Sequence, residues 1–311
     1  MISVLGSGVT GLCAATALQE AGHTVEVIEP RDSPPPASWL AGGMLAPFCE
    51  GETAPQVIVA RGQTAVDWWA AHVPDVARRG TLVLSAPRDA AELDRFARAT
   101  EGHGWVAPDT LEPALSGRFA RGLFYEAEAH LDPRAALTAL RGGLLASGCV
   151  FREEAPRGRV INCTGIAARA ALRDLRAVRG EMLELHAPDV VLTRTVRLLH
   201  PRFPVYIVPR GAGRYMVGAT MVESDDAGGI TARAAMELLS AAYTVHPGFA
   251  EGEVIATAAG LRPAFADNLP ALRRVGDVIH INGMYRHGFL MAPALALDLV
   301  SLLAKEPAYA H

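Results

Sequence analysis

"ISVLGSGVTGLCAATALQEAGHTVEVIEP", residues 2–30, decides the fold. Residues 2–5 are a short apolar run that reads as a buried strand. Gly6, Gly8 and Gly11 follow in G-x-G-x-x-G spacing, and the pattern over 9–21 predicts a helix. Val9, Leu12, Cys13 and Ala17 share one side of it for a sheet, and Thr16 lies there with its hydroxyl in reach of the Leu12 carbonyl. Gly22 supplies the stop, and 23–29 return as a strand ending on Glu29. Each glycine has its own task. The first permits a tight turn, the second lets a pyrophosphate approach the backbone, and the third lets helix and strand pack closely. The helix start, with Val9 and Thr10, offers amides and partial positive charge to phosphates. Glu29 is placed to accept from ribose hydroxyls, and its charge disfavours a 2′-phosphate. Strand, glycines, helix, strand and acid in order predict dinucleotide binding. The motif does not separate NAD from FAD, and a glycine turn that binds nothing is the rival reading.

A second small-residue stretch follows in "ASWLAGGMLAPFCE", residues 37–50. Ser38 reads as the cap of a short helical turn. Ala41, Gly42 and Gly43 have almost no side chain, so a planar aromatic ligand can lie against their backbone. A flexible glycine loop is the alternative.

The chain around these stretches has 311 residues, half of them hydrophobic, with a net charge of −4. That length allows a large core split into two domains. No basic patch is visible, which argues against nucleic acid. The apolar runs read as too short to span a bilayer. A strand beginning at residue 2 leaves no room for a leader, so no membrane is expected and the cytoplasm is the default location. Cys13, Cys49, Cys149 and Cys163 lie far apart and read as buried thiols, with no metal cluster. Of 29 basic residues only Lys305 is a lysine, which removes P-loop and pyridoxal-phosphate chemistry.

Further along, Asp132 and Pro133 open a predicted helix through Leu145 as N-cap and first residue. "RVINCTG", 159–165, reads as a strand returning to the first sheet, with Thr164 and Gly165 ending it near a cofactor. Residues 205–208 and 214–218 read as a hairpin across "RGAG". Residues 278–282 read as a strand, and 293–303 as a final helix. Arg262 stands in "AGLRPAFADNLP", 259–270, between two stiffening prolines. Its five donors await an anion, and an internal salt bridge to Asp267 is the competing use.

The N-terminal fingerprint followed by "ASWLAGGMLAP" resembles the D-amino-acid oxidase and sarcosine oxidase family of flavoproteins. "VYIVPRGAGRYMVGATMVE" (205–223), "GLRPAFADNLP" (260–270) and "INGMYRHGFLMAPALA" (281–296) resemble its glycine oxidase branch, of the thiamine pathway. The resemblance implies an α/β fold: a Rossmann-like FAD-binding domain with an interleaved α+β substrate domain built on an antiparallel sheet. Segments 1–52, 134–177 and 259–311 would form the first domain, and 53–133 and 178–258 the second. FAD is expected to be non-covalent, since 259–270 contain neither cysteine nor histidine. Only "CVFREEAPRG", 149–158, stands where the family often carries a longer β-meander.

The resemblance also assigns residues. Arg262 would bind the substrate carboxylate, Tyr206 would border the pocket and Met221 would form part of its wall. Arg286 would lie near flavin and substrate. Ala37, Ser38, Gly42, Gly43, Met44, Thr164, Gly165, Arg286, His287, Gly288, Phe289 and Leu290 join the fingerprint residues at the cofactor, with the amides at Gly288–Leu290 facing the flavin N1/C2=O edge. His287 is not expected to be a general base. The implied activity is oxidation of glycine or a similar small amine by hydride transfer to flavin N5, with O2 as acceptor. A D-amino-acid or sarcosine oxidase or dehydrogenase is the alternative enzyme. A flavin-binding protein without turnover is the alternative of another class. Self-association stays open.

Overall fold

The computed structural model describes residues 1–30, 35–201 and 203–305. Its first sheet runs Ala271–Val275, Val278–Asn282, Arg159–Asn162, Ile2–Leu5, Val25–Ile28, Val150–Arg152. All neighbours are parallel except the first pair, a hairpin. The "CVFREEAPRG" segment contributes the single edge strand Val150–Arg152.

The predicted βαβ unit forms as Ile2–Leu5, Val9–Glu20 and Val25–Ile28. Thr16 Oγ1 donates to the Leu12 carbonyl at 2.9 Å, and Gly22 takes the left-handed conformation that ends the helix. Burial reaches beyond the sheet-facing side, to Ala14, Ala15 and Leu18. The reason is the last helix, Gly288–Lys305, which covers the other side.

That last helix starts five residues before the expected Pro293. Pro293 has no N–H for the Phe289 carbonyl four residues back, which ordinarily breaks a helix. Here Trp69 Nε1 donates to that carbonyl at 2.7 Å, so the turn survives. The helix also corrects the expectation that no apolar segment reaches membrane-spanning length. Its 18 residues average 1.6 in hydropathy. Phe289 to Ala296 are all buried against the first helix and its neighbours, so this is a core helix.

A second sheet of nine strands is built mostly from segments 53–133 and 178–258. Its spine is the long strand Arg176–His186, paired with Arg214–Gly218, Val222–Glu223 and Glu253–Ala264. The hairpin expected around "RGAG" is present as Val205–Pro209 against Arg214–Gly218. The sheet is antiparallel except where Thr195–Leu199 runs parallel to Thr81–Ser85. Those two strands come from segments 53–133 and 178–258, far apart in sequence, so no tight turn forces them antiparallel. The domain boundary expected at Ala259 falls inside Glu253–Ala264, whose pairing with Arg176–His186 runs to Ala264. A separate two-stranded antiparallel pair joins Met44–Leu45 with Ala129–His130. Asp132 caps the helix Pro133–Ala146 as expected, accepting from Arg134 N and Ala135 N.

Candidate functional site

The expected cofactor residues gather at one end of the first sheet. Gly6 follows the strand ending at Leu5, Glu29 the one ending at Ile28, and Thr164 and Gly165 the one ending at Asn162, while the strand Val278–Asn282 ends at the same edge. This is the carboxyl edge of the parallel strands, where open α/β sheets bind ligands. Asn282 Nδ2 donates to the Gly165 carbonyl at 2.8 Å and ties two of these strand ends together.

The glycines are sterically required. A Cβ on Gly11 would sit 1.9 Å from the Gly6 carbonyl oxygen, and one on Gly6, at φ +95°, would sit 2.9 Å from the Cys163 carbonyl oxygen. Ser38 departs from its expected task. It lies inside the turn Ala37–Leu40 without capping it. Its Oγ instead accepts from Val9 N at 3.1 Å, capping the first helix, whose own N-cap is a glycine. Thr10 and Gly11 then hold first-turn amides without intrahelical partners. Glu29 is ion-paired with Arg141 at 2.5 Å. Burial raises its carboxyl, but bonding to Arg141 and Ser7 outweighs this and holds it below its ordinary range.

The small-residue stretch is clamped from behind. Arg210, which sequence reasoning passed over, donates to the carbonyls of Leu131, Ala41 and Gly42 at 2.7, 3.2 and 2.9 Å. A Cβ on Gly42 would lie 2.7 Å from the Tyr206 ring, so this backbone touches the expected substrate residues. Gly43 adopts φ +67°, and Met44 enters the short strand paired with Ala129–His130. Gly260 brings the turn Ala37–Leu40 onto the strand that carries Arg262, since its Cβ would meet Leu40 Cδ1 at 3.0 Å and Ala37 Cα at 4.0 Å.

Arg262 does not pair with Asp267, whose Oδ1 accepts from Leu269 N. Its Nη1 donates to the Thr220 carbonyl at 3.0 Å. Its guanidinium crosses Gly180 of the neighbouring strand so closely that a Cβ there would sit 2.2 Å away. Gly180 was missed, although a glycine inside a strand signals such an approach. Among the described residues, Arg262 has no carboxylate partner. Tyr206 stands beside it. Burial raises the tyrosine's ionisation while the Arg262 charge opposes the rise, so the two side chains share one environment.

Arg286 sits differently. Its Nε donates to Glu50 at 2.7 Å and its Nη2 to Thr53 Oγ1 at 2.6 Å. Met221 joins the two arginine regions, for its sulfur lies 3.3 Å from Tyr285 Oη and 3.9 Å from Arg286 Nη1. His287 is buried, with Nδ1 3.3 Å from Glu50 but outside hydrogen-bond geometry. Glu50 was passed over by sequence reasoning, since its partner is 236 positions away. Burial opposes its charge, yet Arg286 first and His287 next hold it far below the ordinary carboxylate range. At Gly288–Leu290 only the backbone is free to face a ligand. Phe289 packs on Trp69, and Leu290 fills the space over Gly62.

Behind Glu50 lies a second buried acid. Glu128 accepts from Cys49 N at 2.8 Å, and burial pushes its carboxyl up to about 7. The unfolded chain releases that proton near the ordinary value of about 4.3. Between those values the folded state alone holds it, so stability falls as pH rises through this window. Glu128→Gln keeps the acceptor and removes the penalty. Its Tm should exceed the wild-type Tm at pH 8 by an amount equivalent to on the order of 4 kcal/mol, and the difference should vanish near pH 4. An equal gain at both pH values would contradict this assignment.

These features fit FAD. The glycine cradle suits a pyrophosphate, an acid stands at the end of the second strand, and a clamped, side-chain-free backbone lies beside Tyr206. Comparison with known proteins agrees. Residues 1–302 match the family described as FAD dependent oxidoreductase, DAO. The chain is 52% identical to the Rhizobium etli protein named "Putative thiamine biosynthesis oxidoreductase ThiO", across 98% of this chain and 97% of that one. It is 27% identical to a glycine oxidase of Bacillus licheniformis, across 98% and 93%. The fold superposes on the crystal structure of glycine oxidase from Geobacillus kaustophilus with a TM-score of 0.81 at 23% identity, covering 99% and 96% of the two chains.

Proposed function

This chain belongs to the FAD dependent oxidoreductase family, DAO, and from that premise we propose that it oxidises glycine or a similarly small amine, with O2 as acceptor. The observation that carries this is Arg262, a fixed guanidinium beside the Tyr206 hydroxyl with no carboxylate of its own among the described residues. A planar fork of donors fixes both the distance and the angle of a substrate carboxylate. FAD, when bound, supplies the hydride acceptor. The protein's own contribution is orientation, with the carboxylate on Arg262 and Tyr206 and the small carbon skeleton against Gly42. His287, buried against Glu50, is not assigned a proton transfer.

Gly6, Gly8, Val9, Thr10, Gly11 and Glu29 would hold the nucleotide end. Ala37, Ser38, Gly42, Gly43, Met44, Thr164 and Gly165 would line the path toward the flavin. The backbone of His287, Gly288, Phe289 and Leu290 would meet its pyrimidine side. Attachment is non-covalent in this reading. Arg286 would lie near flavin and substrate at the border of the pocket, with its Nε held by Glu50. The product is assigned to thiamine biosynthesis on the name of the Rhizobium etli relative. The cytoplasm is proposed on four free, buried cysteines.

Peroxide release measured on glycine, sarcosine and D-alanine tests the substrate. Glycine or sarcosine should give the highest kcat/KM. A tenfold preference for D-alanine would replace this reading with a D-amino-acid oxidase. A yellow protein releasing peroxide with none of them would replace it with a flavoprotein lacking this turnover.

A further inference from the structure

We propose that Glu50 makes the substrate pocket selective for amines bearing a single carboxylate, by occupying the second arginine that borders it. This rests on the assignment of Arg262 as the carboxylate anchor.

Two guanidinium groups border one two-residue segment. Arg262 donates to the Thr220 carbonyl, and Arg286 lies against the sulfur of Met221. If both were free, they would form a site for two carboxylates. Only one is. Arg286 is held by Glu50 and Thr53, whereas Arg262 bonds a neutral carbonyl. Glu50 is itself fixed, because it ends the short helix Pro47–Glu50, whose Cys49 amide is held by buried Glu128. Its field reaches Tyr206 and opposes that hydroxyl's ionisation.

With Glu50 ionised, the two arginines and one carboxylate leave a single positive charge, matching one carboxylate. A second carboxylate would lose its hydration and meet an acidic oxygen where it needs a donor. Such an uncompensated buried charge is a strong basis for rejecting a ligand.

The test uses the flavin-loaded enzyme and two non-reacting probes, acetate and malonate, titrated by the shift in visible flavin absorbance. Malonate should bind at least tenfold more weakly than acetate to the wild type. Glu50→Gln should improve malonate relative to acetate at least tenfold, and the double variant Glu50→Gln/Arg286→Gln should lose that gain. Malonate binding as tightly as acetate to the wild type, a measurement that needs no variant to fold, would overturn the proposal. So would an unchanged ratio in Glu50→Gln. Failure of the underlying assignment looks different, since acetate affinity would then survive Arg262→Met.

Discussion

Arg262→Met should lower kcat/KM for glycine by about two to three orders of magnitude while leaving the protein fully flavin-loaded. Methionine keeps much of the side-chain volume over Gly180, so the strand pair Arg176–His186 and Glu253–Ala264 need not rearrange. What is lost is the partner of a buried carboxylate, at a cost of about 2–5 kcal/mol, and about 1.4 kcal/mol corresponds to each decade. Flavin occupancy should not change, because the pyrophosphate cradle lies at the first helix and Arg262 contacts Thr220 and Tyr206. Steady-state kinetics with a flavin-to-protein absorbance ratio reads both halves. Unchanged kcat/KM would remove Arg262 from the site. Loss of flavin together with activity would make it a structural residue.

Gly11→Val should yield protein without flavin. The Cβ alone would sit 1.9 Å from the Gly6 carbonyl oxygen, and that contact is backbone, which no rotamer change relieves. Either the helix Val9–Glu20 moves away from the strand end or the turn at Gly6 opens, and both displace the amides meant for the pyrophosphate. Overpacking in a well-packed core costs about 1–3 kcal/mol even where side chains yield, so a lower Tm should accompany the loss. Gly8→Ala is a graded control. Its Cβ would lie 3.3 Å from Pro36 Cβ and Ser38 Oγ, contacts that can give by a few tenths of an ångström. It should retain part of its flavin. Full occupancy in Gly11→Val would contradict the cradle.

The parts of the fold that were legible depend on neighbours in sequence. The glycine fingerprint, the Asp132 cap and the hairpin around "RGAG" each follow from local backbone chemistry, and each forms where expected. The resemblance to glycine oxidases added Tyr206 and a substrate role for Arg262, and the structure places the two side by side. What escaped depends on distant partners. The last helix begins at Gly288 because Trp69, 220 positions earlier, satisfies the carbonyl that Pro293 leaves unbonded. Ser38 caps a helix 29 positions away and leaves its own turn uncapped. Arg210 and Glu50 carry no local signal, since a guanidinium on three carbonyls and a carboxylate on a far arginine are both products of the tertiary fold. That last pairing also gives Arg286 a carboxylate partner that the local sequence does not reveal.

Anaerobic mixing of glycine with the flavin-loaded wild type, followed by visible absorbance, tests the central claim most directly. The account predicts that the yellow colour bleaches with glycine and that Arg262→Met needs far more glycine to bleach at the same rate. A wild-type spectrum unchanged by saturating glycine would contradict it.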